Sequence, residues 1–445
     1  DLNINDVIAK PSSSIQDQLF QLQRRFGYTK EEINKYMTEL VSERKDPIGA
    51  MGFDTPVAVL STQPESLFNY FKQHFAQVTN PPIDSYREKI VTSEMVYLGK
   101  EGNLLEPHQD NTKRIQLNHP VLSKAQLQKI QNSTYQTKFI STVYETSLED
   151  ALDELSHKVS QAVANGAEII VLEDESVNDL ENQFAMPMLL AVSHIHQSLI
   201  RTGQRLDTSI IAYSGECREV HHLATLIGYG ANAVVPYLAQ YTIEDLTETG
   251  RLTGTVEQNI DAYSQTLSAG LIKVMAKMGI STVQSYQGAQ IFEAIGLGQD
   301  VIDKYFTGTP SKLSGISIET IDQENKARQS ENIKYLNSGS TFQWRLQGDY
   351  HAFNPKTIHL LQHACRENDY KMFKEYSEAA DSERMTHLRN LLEFKEKKAI
   401  DLKEVESADQ IVTRFKTGAM SFGSISEEAH QTLAEAMNRI GGRSN

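Results

Sequence analysis

Between residues 138 and 295, short runs of β-branched and aliphatic residues alternate with longer stretches in which apolar positions recur at spacings of three and four. The runs predict strands at 138–143, 168–172, 209–213, 231–235 and 281–284. The stretches predict helices at 148–164, 181–202, 217–227, 256–278 and 289–295. Strands that alternate with helices of this length form parallel βαβ units, because a parallel neighbour is reached only through a crossover. The expected fold class is therefore α/β, and the number of units favours a (β/α) barrel-like domain.

The flanks read differently. Two short helices are expected at 14–26 and 31–40, with Thr29 and Glu32 spaced as a capping box ahead of the second. The apolar run 56–60 predicts a buried strand and 61–71 a helix after it. Residues 319–340 are polar and predict a linker. Beyond it, Asn354-Pro355 opens a helix to about Asn368, and further helical stretches extend to about Lys398. A β-α pair follows at 411–422 and 426–439, with Ser426 as the helix cap.

Charge narrows the possible partners. The chain has 445 residues, with 43 Lys plus Arg against 58 Asp plus Glu, a net charge of −15. Nucleic-acid binding draws on clustered cations, and the densest basic run, Lys395-Glu396-Lys397-Lys398, is interrupted by an acid. It reads as a solvated face, and no nucleic acid is expected. No stretch reaches the roughly 18 apolar residues of a membrane span, so no membrane partner is expected, and the acidic start fits a cytoplasmic protein. Cys217 and Cys365 lie far apart and are too few for an iron-sulfur cluster or structural zinc, which generally take four ligands. The missing initiator Met and the closing Gly441-Gly442 lead us to expect a piece of a longer protein.

Several motifs carry candidate chemistry. Gly418-Ala419-Met420-Ser421-Phe422-Gly423-Ser424 follows an expected strand and has small residues that let a flat or anionic ligand approach the backbone; tight packing explains them as well. In Tyr213-Ser214-Gly215-Glu216-Cys217-Arg218-Glu219-Val220-His221-His222, Cys217 and His221 share a helix face and could be drawn with His222 as metal ligands, but no further ligand is predictable. Gly228-Tyr229-Gly230 is compatible with a phosphate-binding turn and also with a helix C-cap. Thr79-Asn80-Pro81-Pro82-Ile83-Asp84 should be a rigid loop. Neither Gly-x-Ser-x-Gly nor His-Glu-x-x-His occurs, and no complete active site is readable.

Taken together, the segments beginning Phe53-Asp54-Thr55-Pro56, Gln77-Val78-Thr79-Asn80-Pro81-Pro82, Lys277-Met278-Gly279-Ile280-Ser281-Thr282 and Gly418-Ala419-Met420-Ser421 resemble, in order, the glutamate synthase large-subunit family. The resemblance implies a parent with a glutaminase domain, a central domain, a barrel domain with FMN and an iron-sulfur cluster, and a C-terminal β-helix. Ammonia from glutamine would travel through a tunnel to form 2-iminoglutarate, which is reduced on the flavin to glutamate. Electrons would come from a small subunit or ferredoxin.

On that basis residues 1–45 are a helical connector from the glutaminase domain. Residues 46–318 are a central domain related to FMN-linked TIM barrels, 319–340 a polar linker, and 341–445 the incomplete start of the FMN-binding domain. Gly418, Ala419, Met420 and Ser421 would contact the cofactor, while no catalytic or metal-binding residue is assigned. The central domain would couple the two sites and help wall the ammonia tunnel, with Asn80 to Asp84 and the strand ends near Ser61 and Ser214 as candidate wall. The isolated chain is expected to be inactive and to hold no cofactor stably. The alternative is a stand-alone phosphate- or flavin-binding barrel module, motivated by Gly228 and Gly230.

Overall fold

The computed structural model describes residues 3–8, 16–48, 54–74, 78–82, 84–103, 105–106, 112–177 and 182–444. At its centre lies a parallel sheet of four strands in chain order: Thr137–Ser141, Ile169–Glu173, Ser209–Tyr213 and Ala233–Val235. Ile170 sits opposite both Lys138 and Ile210, and Tyr213 opposite both Glu173 and Val235. The inner strands are continuous apolar runs, buried at every position from Ile169 to Leu172 and from Ile210 to Ala212. A sheet covered on both faces requires this pattern.

The covering helices are set by local signals. Leu148–Ala164 starts at Ser147, whose side chain accepts from the Asp150 amide, and buries Leu148, Ala151, Leu152, Leu155, Val159 and Val163. Val256–Met278 opens with a Thr255–Gln258 capping box and closes on Gly279 in the left-handed conformation. At the N-terminus, Gln16–Arg25 turns through Gly27 into a second helical stretch that ends at Ser42. The expected capping box is present: Thr29 N donates to Glu32 Oε2 at 2.8 Å, and Glu32 N donates to Thr29 Oγ1 at 3.2 Å.

Several expected elements differ. Among the described residues the parallel sheet does not close into a barrel, and the segment 281–284 is no strand of it. Thr282 instead caps the short helix Val283–Tyr286 by accepting from Ser285 N, a local bond that competes with extended pairing. The segment 289–295, expected as a helix, contains the strand Phe292–Ala294, paired antiparallel with Phe71–Gln73. Seven residues are too few for periodicity to separate a helix from a strand, and the distant partner decided it.

Residues 56–60 form a 3-10 turn, Ala58–Leu60, rather than a strand, and 61–71 gives a 3-10 turn, Leu67–Tyr70, that leads into Phe71–Gln73. The expected helix 181–202 begins only at Met188, after Phe184–Ala185 has paired with Val143–Tyr144. The helix expected from Cys217 begins at Val220, and Tyr237–Glu248 is a helix the pattern missed.

Two compact units divide the chain, Asp1–Leu391 and Leu392–Asn445. In the first, Ile318–Ser330 is a helix within the polar stretch and buries Ile318, Ile321, Asn325 and Gln329. Its buried amides pair with Ala185: Gln329 Oε1 accepts from the Ala185 amide at 2.9 Å, and Asn325 and Gln329 donate to its carbonyl at 2.9 and 2.7 Å. Pro355–Glu367 follows the Asn354 cap as expected.

In the second unit, 411–422 is not a strand. Ala408–Val412 is helical and only Lys416 forms a bridge, to Arg443, since no neighbouring strand of this unit pairs with the rest. Glu427–Ile440 is a helix capped by Ser426 as expected.

Candidate functional site

Ligands of parallel α/β folds bind beyond the carboxyl ends of the strands. Here the residues beyond Glu173 and Tyr213 form a buried polar turn. The Asp174 carboxylate accepts from Gly215 N at 2.9 Å, and Ser214 Oγ accepts from the amides of Glu216 and Cys217 at 3.1 and 3.3 Å. Burial pushes the Asp174 carboxyl well above the usual carboxylate range, against the Gly215 N–H, which favours the anion. Ser214 is thus a fully buried turn residue.

The N-terminal helices cover this turn. Tyr28 Oη donates to the Gly215 carbonyl at 3.1 Å, and a Cβ on Gly215 would lie 2.6 Å from the Phe26 ring. Only glycine admits that approach. Arg218 bonds to Glu32 at 2.8 Å, and Arg328 bonds to Glu216 at 2.9 Å. Phe26, Tyr28 and Arg218 therefore pack together against the turn beyond the strand ends.

Beside the turn opens a cleft of about 670 Å³ whose lining includes Glu32, Tyr36, Arg218, Glu219, His221 and His222. Burial, then the neighbouring Glu32 charge, pushes Glu219 up to about 8, while Arg218 opposes the shift. The three residues drawn as metal ligands are engaged separately. Cys217 is buried and its thiol is pushed up by burial; His221 Nε2 meets the Phe68 carbonyl at 3.0 Å; His222 stacks on Phe68 with centroids 4.2 Å apart. Among the described residues no group of three or more His, Cys, Asp or Glu is arranged to hold a metal ion.

The glycine turn at 228–230 is also full. Gly230 has φ +118°, and a Cβ there would lie 2.4 Å from the His196 ring; its carbonyl accepts from Arg205 Nη2 at 2.9 Å and Gln287 Nε2 at 3.2 Å. Gly228 closes its helix against Phe292.

His196 itself accepts from Arg205 Nε at 2.9 Å. Burial, then the Arg205 charge, lowers its pKa to about 3, and burial lowers His194 to about 4. Both imidazoles have a reference value of 6.5, so the unfolded chain binds more protons as pH falls below that value. Their contribution to stability is complete above pH 6.5 and declines as pH falls towards the folded-state values. Glu219 has the opposite sign: its contribution is complete below its reference value of 4.5 and is lost as pH rises through about 8, so it opposes the histidines over the same range. Between pH 7 and pH 5 the denaturant midpoint of the parent is expected to fall relative to that of His196→Gln, whose side chain does not titrate; parallel pH profiles for the two proteins would refute the assignment.

Gly418, Ala419, Met420 and Ser421 lie on the exposed surface of the second unit. No atom comes within 4 Å of a Cβ placed on Gly418. The backbone amides of Gly418, Ala419 and Met420 make no hydrogen bond among the described residues. The loop can offer donors to the edge of a ligand, but the unit supplies no wall to enclose a ring.

In the Asn80 to Asp84 loop, Ile83 lies outside the described residues, and Asp84 caps Ser85–Val91 by accepting from the amides of Tyr86 and Arg87. Ser61 donates to Asp349 Oδ1 at 3.2 Å. Sequence reasoning missed the buried pairs of Glu32 with Arg218 and Glu216 with Arg328. The alternating charges of Glu216, Arg218 and Glu219 after a strand were the available signal, but their partners lie far away in the chain.

A family model described as the glutamate synthase central domain matches residues 21–298, and one described as a conserved region in glutamate synthase matches 351–445. The chain is 52% identical to the glutamate synthase (NADPH) large chain of Bacillus subtilis, over 98% of this chain and 29% of the relative. It is 41% identical to ferredoxin-dependent glutamate synthase 1, chloroplastic/mitochondrial, of Arabidopsis thaliana, over 96% of this chain and 28% of that one. The chain thus spans less than a third of the length of these relatives. Among solved structures, a mutant flavocytochrome b2 with benzoylformate aligns over 40% of this chain and 42% of that chain, at 11% identity and a TM-score of 0.27, a likeness that carries no argument.

Proposed function

The chain belongs to the glutamate synthase family, and from that premise we propose that it couples a glutaminase site to a flavin site in an enzyme making L-glutamate from 2-oxoglutarate and glutamine-derived ammonia. The observation that carries this reading is the packing of the N-terminal helices on the turn beyond the strand ends, where Phe26 lies against Gly215. A segment packed in this way is suited to spacing and walling. Ammonia released into water is protonated and diluted, so a sealed path keeps it nucleophilic.

Residues 1–45 then serve as the connector, 46–318 as a central domain of barrel descent, 319–340 as the link and 341–445 as the start of the FMN-binding domain. The family matches at 21–298 and 351–445 support that division, and the four parallel strands in chain order support the barrel kinship. Gly418, Ala419, Met420 and Ser421 contribute amide donors to one edge of FMN. FMN would supply the reducing electrons, and this chain's share is to place that edge. The iron-sulfur cluster belongs to other parts of the parent. The partners are the remaining domains of the same polypeptide, with a small subunit or ferredoxin as electron donor, in the cytoplasm. The relatives include both an NADPH and a ferredoxin-dependent glutamate synthase.

The test is to incubate the purified chain with FMN, desalt it and record the visible spectrum, alongside glutaminase and glutamate-forming assays. Neither a flavin band nor either activity is expected. A stoichiometric flavin band would mean that one of the two units binds cofactor alone, and the division of labour would be wrong.

A further inference from the structure

The turn after Ser209–Tyr213 holds two opposite charges two residues apart, and each grips a different part of the chain. Arg218 holds the incoming helices. Its Nε and Nη2 reach Glu32 Oε1 at 2.9 and 2.8 Å, and its Nη1 and Nη2 donate to the carbonyls of Phe26 and Gly27 at 3.3 and 3.2 Å. Its guanidinium lies 4.5 Å from the Tyr28 ring centroid. Glu216 holds the outgoing helix Ile318–Ser330, accepting from Arg328 Nη2 at 2.9 Å, and its other carboxylate oxygen accepts from Met188 N at 2.8 Å. Arg218 Nη1 also donates to the Glu216 carbonyl at 3.1 Å, which ties the two grips together.

The gripped segments touch each other as well. Arg24 Nη1 donates to the carbonyls of Gln329 and Glu331 at 3.2 and 2.6 Å. The amides of Lys30 and Glu31 donate to the carbonyls of Asn337 and Ser338 at 2.8 and 3.1 Å. The chain therefore enters and leaves residues 46–318 at one place, and the buried charges of a single turn hold both segments. A planar guanidinium can serve acceptors in several directions at once, which an ammonium cannot reproduce. Buried charges are also screened far less by salt than surface pairs are.

We propose that Arg218 is a positioning residue that couples the domains flanking residues 46–318, by fixing the incoming helices and the outgoing helix in one relative register. This rests on the reading of the chain as a coupler between glutaminase and flavin sites. A shift of the helix bearing Glu32 is then transmitted through the Glu216–Arg218 turn to the helix bearing Arg328.

The test uses the full-length polypeptide that carries this chain, loaded with its cofactors. Glutamate formation from 2-oxoglutarate is measured with glutamine and, separately, with an ammonium salt as nitrogen source. Arg218→Met is expected to lower the glutamine-dependent rate by about 5-fold or more, the lower end of ordinary coupling between sites. The ammonium-dependent rate stays unchanged, and glutamine hydrolysis continues without matching glutamate formation. Arg218→Met combined with Glu32→Gln removes both members of the buried pair, so that a folded variant is available, and the same split is expected from it. A parallel fall in both modes, or no change in either, in a folded variant overturns the positioning role. If the unaltered polypeptide forms no glutamate from glutamine, the underlying reading fails instead, and this is seen before any substitution is made.

Discussion

Replacing Glu216 with alanine is expected to destabilise the first unit by about 3–5 kcal/mol, the usual effect of removing one partner from a buried ion pair. The side chains of Glu216 and Arg328 are 5% and 13% exposed, so solvent does little to screen the charge left behind. The same carboxylate also satisfies the Met188 amide at the start of Met188–Arg201, which would lose its acceptor. The measurement is the urea midpoint at constant slope. Adding Arg328→Met should recover much of the loss, because it removes the stranded cation. A single variant within about 0.5 kcal/mol of the parent, the range of ordinary surface substitutions, would show that the pair is not structurally significant.

A second large effect is expected at Gly230. Alanine there must adopt φ +118° and place its Cβ 2.4 Å from the His196 ring. Backbone strain of about 1–3 kcal/mol then adds to overpacking of about 1–3 kcal/mol. His196 has little freedom to withdraw, since the residue is buried and its Nδ1 accepts from Arg205 Nε at 2.9 Å. Gly250 is the control: its φ is also positive, +74°, but nothing lies within 4 Å of its Cβ position. Gly250→Ala should cost only the conformational share, about 1–2 kcal/mol. If thermal melts give the two variants equal losses, the His196 contact is not what requires glycine.

The legibility of the molecule varied with the distance of its interactions. The helix Leu148–Ala164 was readable because its period, its Ser147 cap and its first-turn acids all lie within the element. The same holds for Pro355–Glu367 behind Asn354 and for Glu427–Ile440 behind Ser426. The helix Ile318–Ser330 was hidden, because its inner face is completed by Asn325 and Gln329, which hydropathy scores as solvent-facing. Their burial depends on Ala185 presenting both its amide and its carbonyl. The charged turn was visible as residues, but its partners Glu32 and Arg328 were not, since nothing local links them to it.

By itself, then, the sequence determined the alternation of strands and helices from Thr137 to Val235, the caps, and the ordered motifs that carry the family resemblance. Each of these rests on spacing or on hydrogen bonds between near neighbours. Only the tertiary structure decided that Phe292–Ala294 is a strand, that the parallel sheet stays open among the described residues, and that the N-terminal helices pack on the turn at its carboxyl end. Those outcomes turn on which backbone groups and buried charges find partners across long separations. Such pairings form only when the chain is compact, and they leave no period for a linear reading to detect.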